Sequence, residues 1–257
     1  MLDKFEIDYP MENGSEKRNA YVYVPDFAKY DPEARFPVLY MFVGHNLFCD
    51  EEATYGKSWG LLDYLVENEI PLIVAAIECN HHSEKEACGG RLSEYSPFTF
   101  FDLYWGGTII GHGKATMDFY TKEFKPYVDD NYPTLKEREY TFISGSSMGG
   151  LMTLYALTEY SDVFSRGAAL SPSLTFSYNE VRDMVKNADV KEGTYVYMDY
   201  GEKEMGVRAR KAFSRITALW IEKKALLTSR IIPDGTHSEE SWERQLPFVI
   251  DFLFYHL

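Results

Sequence analysis

Apolar residues gather along the chain in short runs that lie between longer segments of mixed polarity. Residues 36–43 (FPVLYMFV) and 70–77 (IPLIVAAI) are almost wholly apolar, which is typical of parallel strands covered on both faces. Shorter runs predict further strands at residues 19–24, 140–143, 167–170, 193–198 and 226–232. Seven strands are therefore expected, most of them buried on both sides.

Between these runs the apolar residues recur with the spacing of amphipathic helices. The predicted helices span residues 58–68, 117–131, 151–160, 207–223 and 239–254. Pro126 interrupts the second of these, which predicts a kink or a fresh helical start there. Strands that alternate with helices imply right-handed crossovers. The sequence therefore predicts an α/β fold with a mostly parallel central sheet and helices on both faces.

The segment from residue 80 to residue 114 breaks this alternation. It is rich in Gly, Ser, His and aromatic residues and follows no regular period. A long irregular stretch inside a compact domain is usually a functional loop, and a merely solvated insertion would not need so many aromatic side chains. We expect this segment to form a wall of a pocket, with Tyr95 and Trp105 as candidate lining residues.

Length and charge narrow the class of protein further. The 257 residues suit one domain that spans residues 1–257. The chain carries 40 Asp and Glu against 26 Lys and Arg, a net charge of −14, which argues against nucleic acid and anionic membranes as partners. The N-terminus has no secretory signal and no run is long enough to span a bilayer. A cytoplasmic location is predicted.

The cysteines suggest neither disulfides nor a metal site. Cys49, Cys79 and Cys88 are odd in number, which argues against a disulfide framework. None of them forms a CxxC pair with another, so the spacing does not suggest zinc. No metal and no cofactor are predicted.

A candidate nucleophile lies in the run Gly145-Ser146-Ser147-Met148-Gly149. The β-branched and aromatic residues before it predict a strand, and the apolar spacing after it predicts a helix. A GxSxG run in this setting is the nucleophile elbow of α/β hydrolases, in which a sharp turn exposes the serine Oγ above the sheet. Small residues are needed on either side because the backbone passes too close for a Cβ. Ser147 is therefore the predicted nucleophile.

The base and the acid should follow Ser147 in the order acid, then histidine. His237 and His256 are the two histidines after Ser147, and His237 is favoured because it lies between the last predicted strand and the last predicted helix. The acid should follow the strand at residues 193–198. Pattern alone leaves Asp199, Glu202 and Glu204 open for this role.

A serine hydrolase also needs two backbone amides to bind the oxyanion. The amide of Met148, directly after Ser147, is the first candidate. The second is expected in the loop after the strand that ends at Val43, at His45 or its neighbour Asn46. His45 would then contribute its amide rather than its imidazole.

Several motifs in the right order resemble the putative-esterase family of α/β hydrolases, which includes enterochelin esterases, feruloyl esterases and S-formylglutathione hydrolase. The enterochelin-esterase-like branch has an oxyanion loop that reads Asp-Gly-Gln-Asn-Leu-Phe, where this chain has VGHNLF at residues 43–48. The other similar runs are residues 91–97 (RLSEYSP), 124–129 (FKPYVD), 144–150 (SGSSMGG), 170–173 (LSPS), 199–204 (DYGEKE) and 237–242 (HSEESW).

This resemblance implies the α/β-hydrolase fold and sharpens two roles. It places the catalytic acid at Glu204, at the end of a Gly-x-x-Glu turn, and the second oxyanion amide at His45. The chain departs from the branch at Val43, where the branch has Asp, and at His45, where it has Gln. Both departures imply a different arrangement of the oxyanion loop and a different substrate preference.

The sequence therefore predicts a serine hydrolase that cleaves carboxylic esters of small molecules through a Ser-His-Glu triad and an acyl-enzyme. A thioesterase or acyltransferase using the same triad, and a non-catalytic binding protein that keeps the fold, are the alternatives. Candidate pocket residues are Asn46, Trp59, Tyr95, Trp105 and Trp242; for the aromatic ones, ordinary core packing is the competing interpretation.

Overall fold

The chain folds around one eight-stranded mixed sheet, seen in a computed structural model that describes residues 1–11, 14–86, 89–102 and 106–257. The strands of this sheet are β1 (Leu2–Met11), β2 (Gly14–Tyr23), β3 (Val38–Met41), β4 (Ile73–Ile77), β7 (Thr141–Ser146), β8 (Arg166–Leu170), β9 (Tyr195–Gly201) and β10 (Leu226–Ile232). The remaining two, β5 (Phe100–Asp102) and β6 (Gly107–Ile109), pair as a separate antiparallel hairpin.

The order of strands across the main sheet is β1-β2-β4-β3-β7-β8-β9-β10. β1 and β2 are antiparallel to each other, and β2 is antiparallel to β4. From β4 to β10 every neighbouring pair is parallel. The prediction of an α/β fold with a mostly parallel sheet is confirmed.

Helices follow most of the strands and cover both faces of the sheet. They are α1 (Leu61–Glu67), α2 (Arg91–Glu94), α3 (Gly113–Phe119), α4 (Lys125–Asn131), α5 (Met148–Glu159), α6 (Tyr178–Asn187), α7 (Val207–Ile221), α8 (Glu239–Glu243) and α9 (Leu246–Leu253). Within the described residues no helix combines the length and the apolar composition that a membrane span requires.

The strand β3 shows why helices are needed on both faces. Its four residues are all buried, and they alternate between two apolar cores. Val38 and Tyr40 face the core that contains α3 to α7, whereas Leu39 and Met41 face the core that contains α1 and α9. Successive side chains of a strand point to opposite faces, so a strand that is apolar throughout must be covered twice.

Two expectations need correction, and the one at Pro126 is confirmed. The predicted helix at residues 239–254 is two helices, α8 and α9, and Pro247 lies in the first turn of α9, where a missing N–H costs little. The fresh helical start predicted at Pro126 is confirmed, because Pro126 lies in the first turn of α4 and a π-helical segment, Tyr120–Phe124, joins α3 to it. The segment at residues 80–114 is not wholly irregular, because it holds α2 and the β5-β6 hairpin.

The carboxyl ends of five adjacent parallel strands meet at one edge of the sheet. In spatial order these strands are β3, β7, β8, β9 and β10. Four candidate residues follow these strands: His45 after β3, Ser147 after β7, Glu204 after β9 and His237 after β10. Ligands of open α/β sheets bind at this edge, and the fold therefore directs attention to these loops.

Candidate active site

Ser147 lies in the sharp turn between β7 and α5. Its backbone has φ 56° and ψ −119°, a region that costs a non-glycine residue about 1–3 kcal/mol. The Ser147 amide donates to Leu170 O at 3.0 Å, and the Ser147 carbonyl accepts from the amide of Ser173 at 3.0 Å. These two bonds to the end of β8 hold the turn in its strained form.

The turn closes tightly because glycines flank it. A Cβ built on Gly145 would lie 2.8 Å from the carbonyl carbon of Gly149, closer than real Cβ contacts. The strand and the helix therefore approach each other backbone to backbone, as the spacing of the motif predicted. The consequence is that Ser147 Oγ projects beyond the sheet edge rather than into the core.

His237 and Glu204 complete a chain of hydrogen bonds with this serine. Ser147 Oγ lies 2.9 Å from His237 Nε2, and His237 Nδ1 donates to Glu204 Oε2. His237 is partly exposed, whereas Glu204 is almost buried. The three side chains come from separate loops, yet they contact one another in the order that a nucleophile, a base and an orienting acid require.

The other two candidate carboxylates, Asp199 within β9 and Glu202 just after it, make different contacts. Asp199 is buried and accepts from Tyr197 Oη at 3.0 Å and from the Ser171 amide at 3.3 Å. Burial raises its pKa to about 7. Glu202 accepts from the amide of Asp234 at the surface. Of the three candidates, Glu204 alone contacts His237.

Glu204 is held from several sides. Its Oε1 accepts from Ser171 Oγ and from the Gly201 amide at 2.8 Å, while Trp242 Nε1 donates to Ser171 Oγ at 3.1 Å. Burial by itself raises the pKa of Glu204, but the hydrogen bonds from His237 and Ser171 outweigh it and hold that pKa below its ordinary value. The carboxylate is therefore charged at neutral pH.

The two candidate oxyanion amides come from the start of α5 and from the loop after β3. Met148 is the first residue of α5, so its amide has no carbonyl partner within the helix. In the loop after β3, the amides of Asn46 and Leu47 donate to Val43 O and Gly44 O, but within the described chain no backbone carbonyl accepts from His45. Its imidazole is buried and bonds to Thr54 Oγ1 at 3.0 Å.

Val43 begins this candidate oxyanion loop in an unusual conformation. Its φ of 60° lies in the left-handed region, which is strongly disfavoured for a β-branched residue. The Val43 amide donates to Tyr95 Oη at 3.2 Å. Tyr95 is buried and packs edge-on against Phe42, with ring centroids 5.2 Å apart. Tyr95 therefore supports the loop from below.

Ser147 opens into a cavity of about 340 Å³. Three predicted pocket residues line it: Asn46, Trp59 and Trp242. Tyr95 is not among the described residues that line it, because its ring is packed in the core, and Trp105 lies outside the described residues. The full lining is Phe42, Val43, Asn46, Tyr55, Trp59, Arg91, Ser146, Ser147, His237, Ser238, Glu239 and Trp242.

The family model described as "Putative esterase" matches residues 13–251, nearly the whole chain. The chain belongs to this family. Among curated proteins, the uncharacterized protein YbbA of Bacillus subtilis is 25% identical over 199 residues, which cover 75% of this chain and 71% of YbbA.

Solved structures with the same fold include several esterases. The BES protein from Bacillus cereus aligns with a TM-score of 0.73 at 18% identity and covers 99% of this chain and 95% of that one. An IroE-like serine hydrolase from Shewanella oneidensis gives 0.72 at 20% identity over 96% and 79%. Enterochelin esterase from Shigella flexneri gives 0.72 at 17% identity, and this chain spans 58% of its length.

Two residues of the candidate site in this chain, Ser171 and Arg91, were not predicted from the sequence. Ser171 lies in the 170–173 motif, but nothing in the pattern showed that its hydroxyl would bond to Glu204. Arg91 lines the cavity from the start of α2, although residues 91–97 are far from Ser147 in sequence. The available signal for Arg91 was that it is the one Arg or Lys between Lys85 and Lys114.

Replacing Ser171 by Ala tests how Glu204 is held. The change leaves the buried Trp242 N–H without an acceptor, which should cost about 1–3 kcal/mol of the free energy of unfolding. It also removes one bond that lowers the pKa of Glu204. A lowered carboxylate pKa stabilises the fold at neutral pH, and this stabilisation is lost as the pH falls through the folded pKa. The cost of Ser171→Ala should therefore shrink on acidification.

Urea unfolding measures both parts when it is followed from neutral pH to well below about 4.3, the ordinary pKa of a glutamate. Ser177→Ala is the matched control, because Ser177 is buried but its hydroxyl has no hydrogen-bond partner among the described residues. We expect a cost near zero for the control. Equal costs for the two variants, or a cost for Ser171→Ala that does not change with pH, would contradict this account of Glu204.

Proposed function

We propose that the protein hydrolyses carboxylic esters of small molecules by two-step acyl transfer. In this proposal Ser147 is the nucleophile, His237 the general base and Glu204 the acid that orients it. The observation that carries the proposal is the continuous chain of contacts from Ser147 Oγ through His237 to Glu204, on a turn whose strain serves to expose the serine.

In the first step His237 Nε2 takes the proton of Ser147 as Oγ attacks the ester carbonyl. The negative charge that forms on the carbonyl oxygen is stabilised by the amides of Met148 and His45 and by the N-terminus of α5. The C–O bond to the alcohol then breaks, and the alcohol leaves with the proton from His237. An acyl group remains on Ser147.

In the second step a water molecule attacks in place of the serine, with the same proton transfers. His237 takes a proton from the water, the hydroxide attacks the acyl carbonyl, and Ser147 Oγ leaves with the proton that His237 returns. Throughout, Glu204 accepts from Nδ1, which fixes the tautomer and stabilises the imidazolium. Trp242 packs edge-on against the His237 ring, with centroids 5.1 Å apart, and so limits its rotation.

The cavity suits a small ester with one planar group. Aromatic side chains form several of its walls, namely Phe42, Tyr55, Trp59 and Trp242, and Arg91 is the cationic group of its lining. Aromatic walls favour a planar acyl group, and a guanidinium favours an anionic or strongly hydrogen-bonding substituent. A ferulic acid esterase and a siderophore hydrolase from Aspergillus nidulans share the fold, and phenolic esters are the substrates to test first.

Ser147→Ala tests the nucleophile. If the triad acts as a unit, the rate of p-nitrophenyl ester hydrolysis should fall on the order of 10⁴-fold or more, because no other group can form the acyl-enzyme. Steady-state kinetics measures the effect, and an unchanged urea midpoint shows that the variant is folded. Full retention of esterase activity by the folded variant would refute the proposal.

Glu204→Gln tests the acid, with Glu202→Gln as a matched control on the same loop. A glutamine at position 204 has no negative charge to stabilise the imidazolium, and its NH₂ group can favour the wrong imidazole tautomer. The value of kcat/KM should therefore fall on the order of 10³- to 10⁴-fold. Glu202→Gln should stay close to wild type. The reverse pattern in steady-state kinetics would move the role of acid to Glu202.

A further inference from the structure

A second group of chemically reactive side chains lies beside the cavity that contains Ser147. It consists of His45, in the loop after β3, and Cys79 and His81, in the loop after β4. One ligand atom from each residue lies within 4.8 Å of the other two. The strands β3 and β4 are parallel neighbours, so their carboxyl ends bring these loops together although the residues are far apart in sequence.

The imidazole of His45 belongs to this group and has one ring nitrogen without a hydrogen-bond partner. The residue is 6% exposed, and its Nδ1 has no hydrogen-bond partner. The other ring nitrogen, Nε2, is held by Thr54 Oγ1 at 3.0 Å. A buried polar atom without a partner is rare and calls for an explanation. A ligand that accepts the Nδ1 lone pair would supply the missing interaction.

Cys79 and His81 provide the remaining donor atoms. Cys79 is 4% exposed and forms no disulfide. His81 is at the surface and its Nε2 lies 2.7 Å from Glu78 Oε1. Glu78 is fixed in turn, because its Oε2 accepts from Asn19 Nδ2 at 2.7 Å. A carboxylate on the outer nitrogen of a histidine is the usual support for a metal ligand, since it orients the ring and raises its basicity.

The surroundings leave room for an ion and a path to solvent. The three residues line a cavity of about 220 Å³ that shares Val43, Asn46, Tyr55 and Arg91 with the cavity of Ser147. The positive charge of Arg91 would repel a cation bound in this cavity. The carboxylates of Glu78 and Glu84, close to the same group, offset it.

We propose that His45, Cys79 and His81 bind one Zn²⁺ ion, with a water molecule in the fourth position. Two imidazole nitrogens and one thiolate suit a borderline-soft ion, whereas Mg²⁺ and Ca²⁺ require oxygen ligands. Tetrahedral coordination at about 2.0–2.3 Å places ligand atoms about 3.3–3.8 Å apart. The group must therefore close by about 1 Å, which a small shift of the exposed His81 ring would supply while its Nε2 stays bonded to Glu78.

The ion would link the loops after β3 and β4. It would bind the deprotonated nitrogen of each imidazole and the Cys79 thiolate, and the thiol proton would be released to solvent. Binding is separate from ester hydrolysis, and its test does not depend on activity. The spacing of the cysteines gave no sign of this site, because its ligands come from two loops and include a single cysteine.

The test uses the full chain, without a histidine tag and freed of metal by a chelator. Isothermal titration calorimetry with Zn²⁺ should show one ion per chain, and the thermal unfolding midpoint should rise with Zn²⁺. Co²⁺ should give a thiolate-to-metal charge-transfer band in the near ultraviolet that Zn²⁺ abolishes. His81→Ala should weaken Zn²⁺ binding at least about 100-fold, and Glu78→Gln about 10-fold.

Matched variants separate this site from surface binding. Cys79→Ser should remove the charge-transfer band, whereas Cys49→Ser, which alters the half-buried thiol outside the group, should keep it. His82→Ala, next to His81, should also leave binding unchanged. Absence of Zn²⁺ binding in the wild type, or equal binding in the wild type and His81→Ala, would overturn the proposal. His81 is exposed, so this variant remains folded even where Cys79→Ser does not.

Discussion

The backbone turn at Ser147 is the constraint around which the candidate site is built. A serine at φ 56° and ψ −119° is unfavourable by itself, so the neighbouring structure must hold it. That support comes from β8, through the hydrogen bonds of the Ser147 amide and carbonyl with Leu170 and Ser173, and from the backbone contact between Gly145 and Gly149. Since β7 lies inside a sheet that is covered on both faces, the stability of the whole core is available to offset this local cost. The fold thus fixes the direction of Ser147 Oγ before any substrate binds.

The proposed base and acid depend on a second close approach, between the loops after β9 and β10. A Cβ on Gly201 would lie 2.5 Å from the carbonyl of Gly235, and the Lys203 amide donates to Gly235 O at 2.9 Å. This contact brings Glu204 against His237. From Glu204 the hydrogen bonds continue inward through Ser171 to the indole of Trp242. This indole also packs against Trp59, with ring centroids 5.9 Å apart. The site is therefore connected to the apolar core beneath it by a line of satisfied polar groups.

The sequence was most informative where burial is complete on both faces or where a motif needs one backbone geometry. The apolar runs that became β3 and β4, and the glycines around Ser147, are of these kinds. It was less informative at the edge of the sheet, where β1 carries charged residues on its exposed face and was not predicted. Pattern alone could not choose the acid, since that choice depends on which carboxylate the turn after Gly201 directs toward His237. Tyr95 was assigned to the pocket because aromatic residues occur in both walls and cores, and only the packing against Phe42 decides between them.

Covalent labelling reports directly on whether Ser147 is an activated nucleophile. The chain should be treated with a fluorophosphonate at neutral pH, and the modified protein analysed by intact and peptide mass spectrometry. Activation by His237 predicts one adduct per chain, located on Ser147 and slowed strongly when His237 is replaced by Ala. No adduct on Ser147, or a rate of labelling that does not depend on His237, would contradict the account.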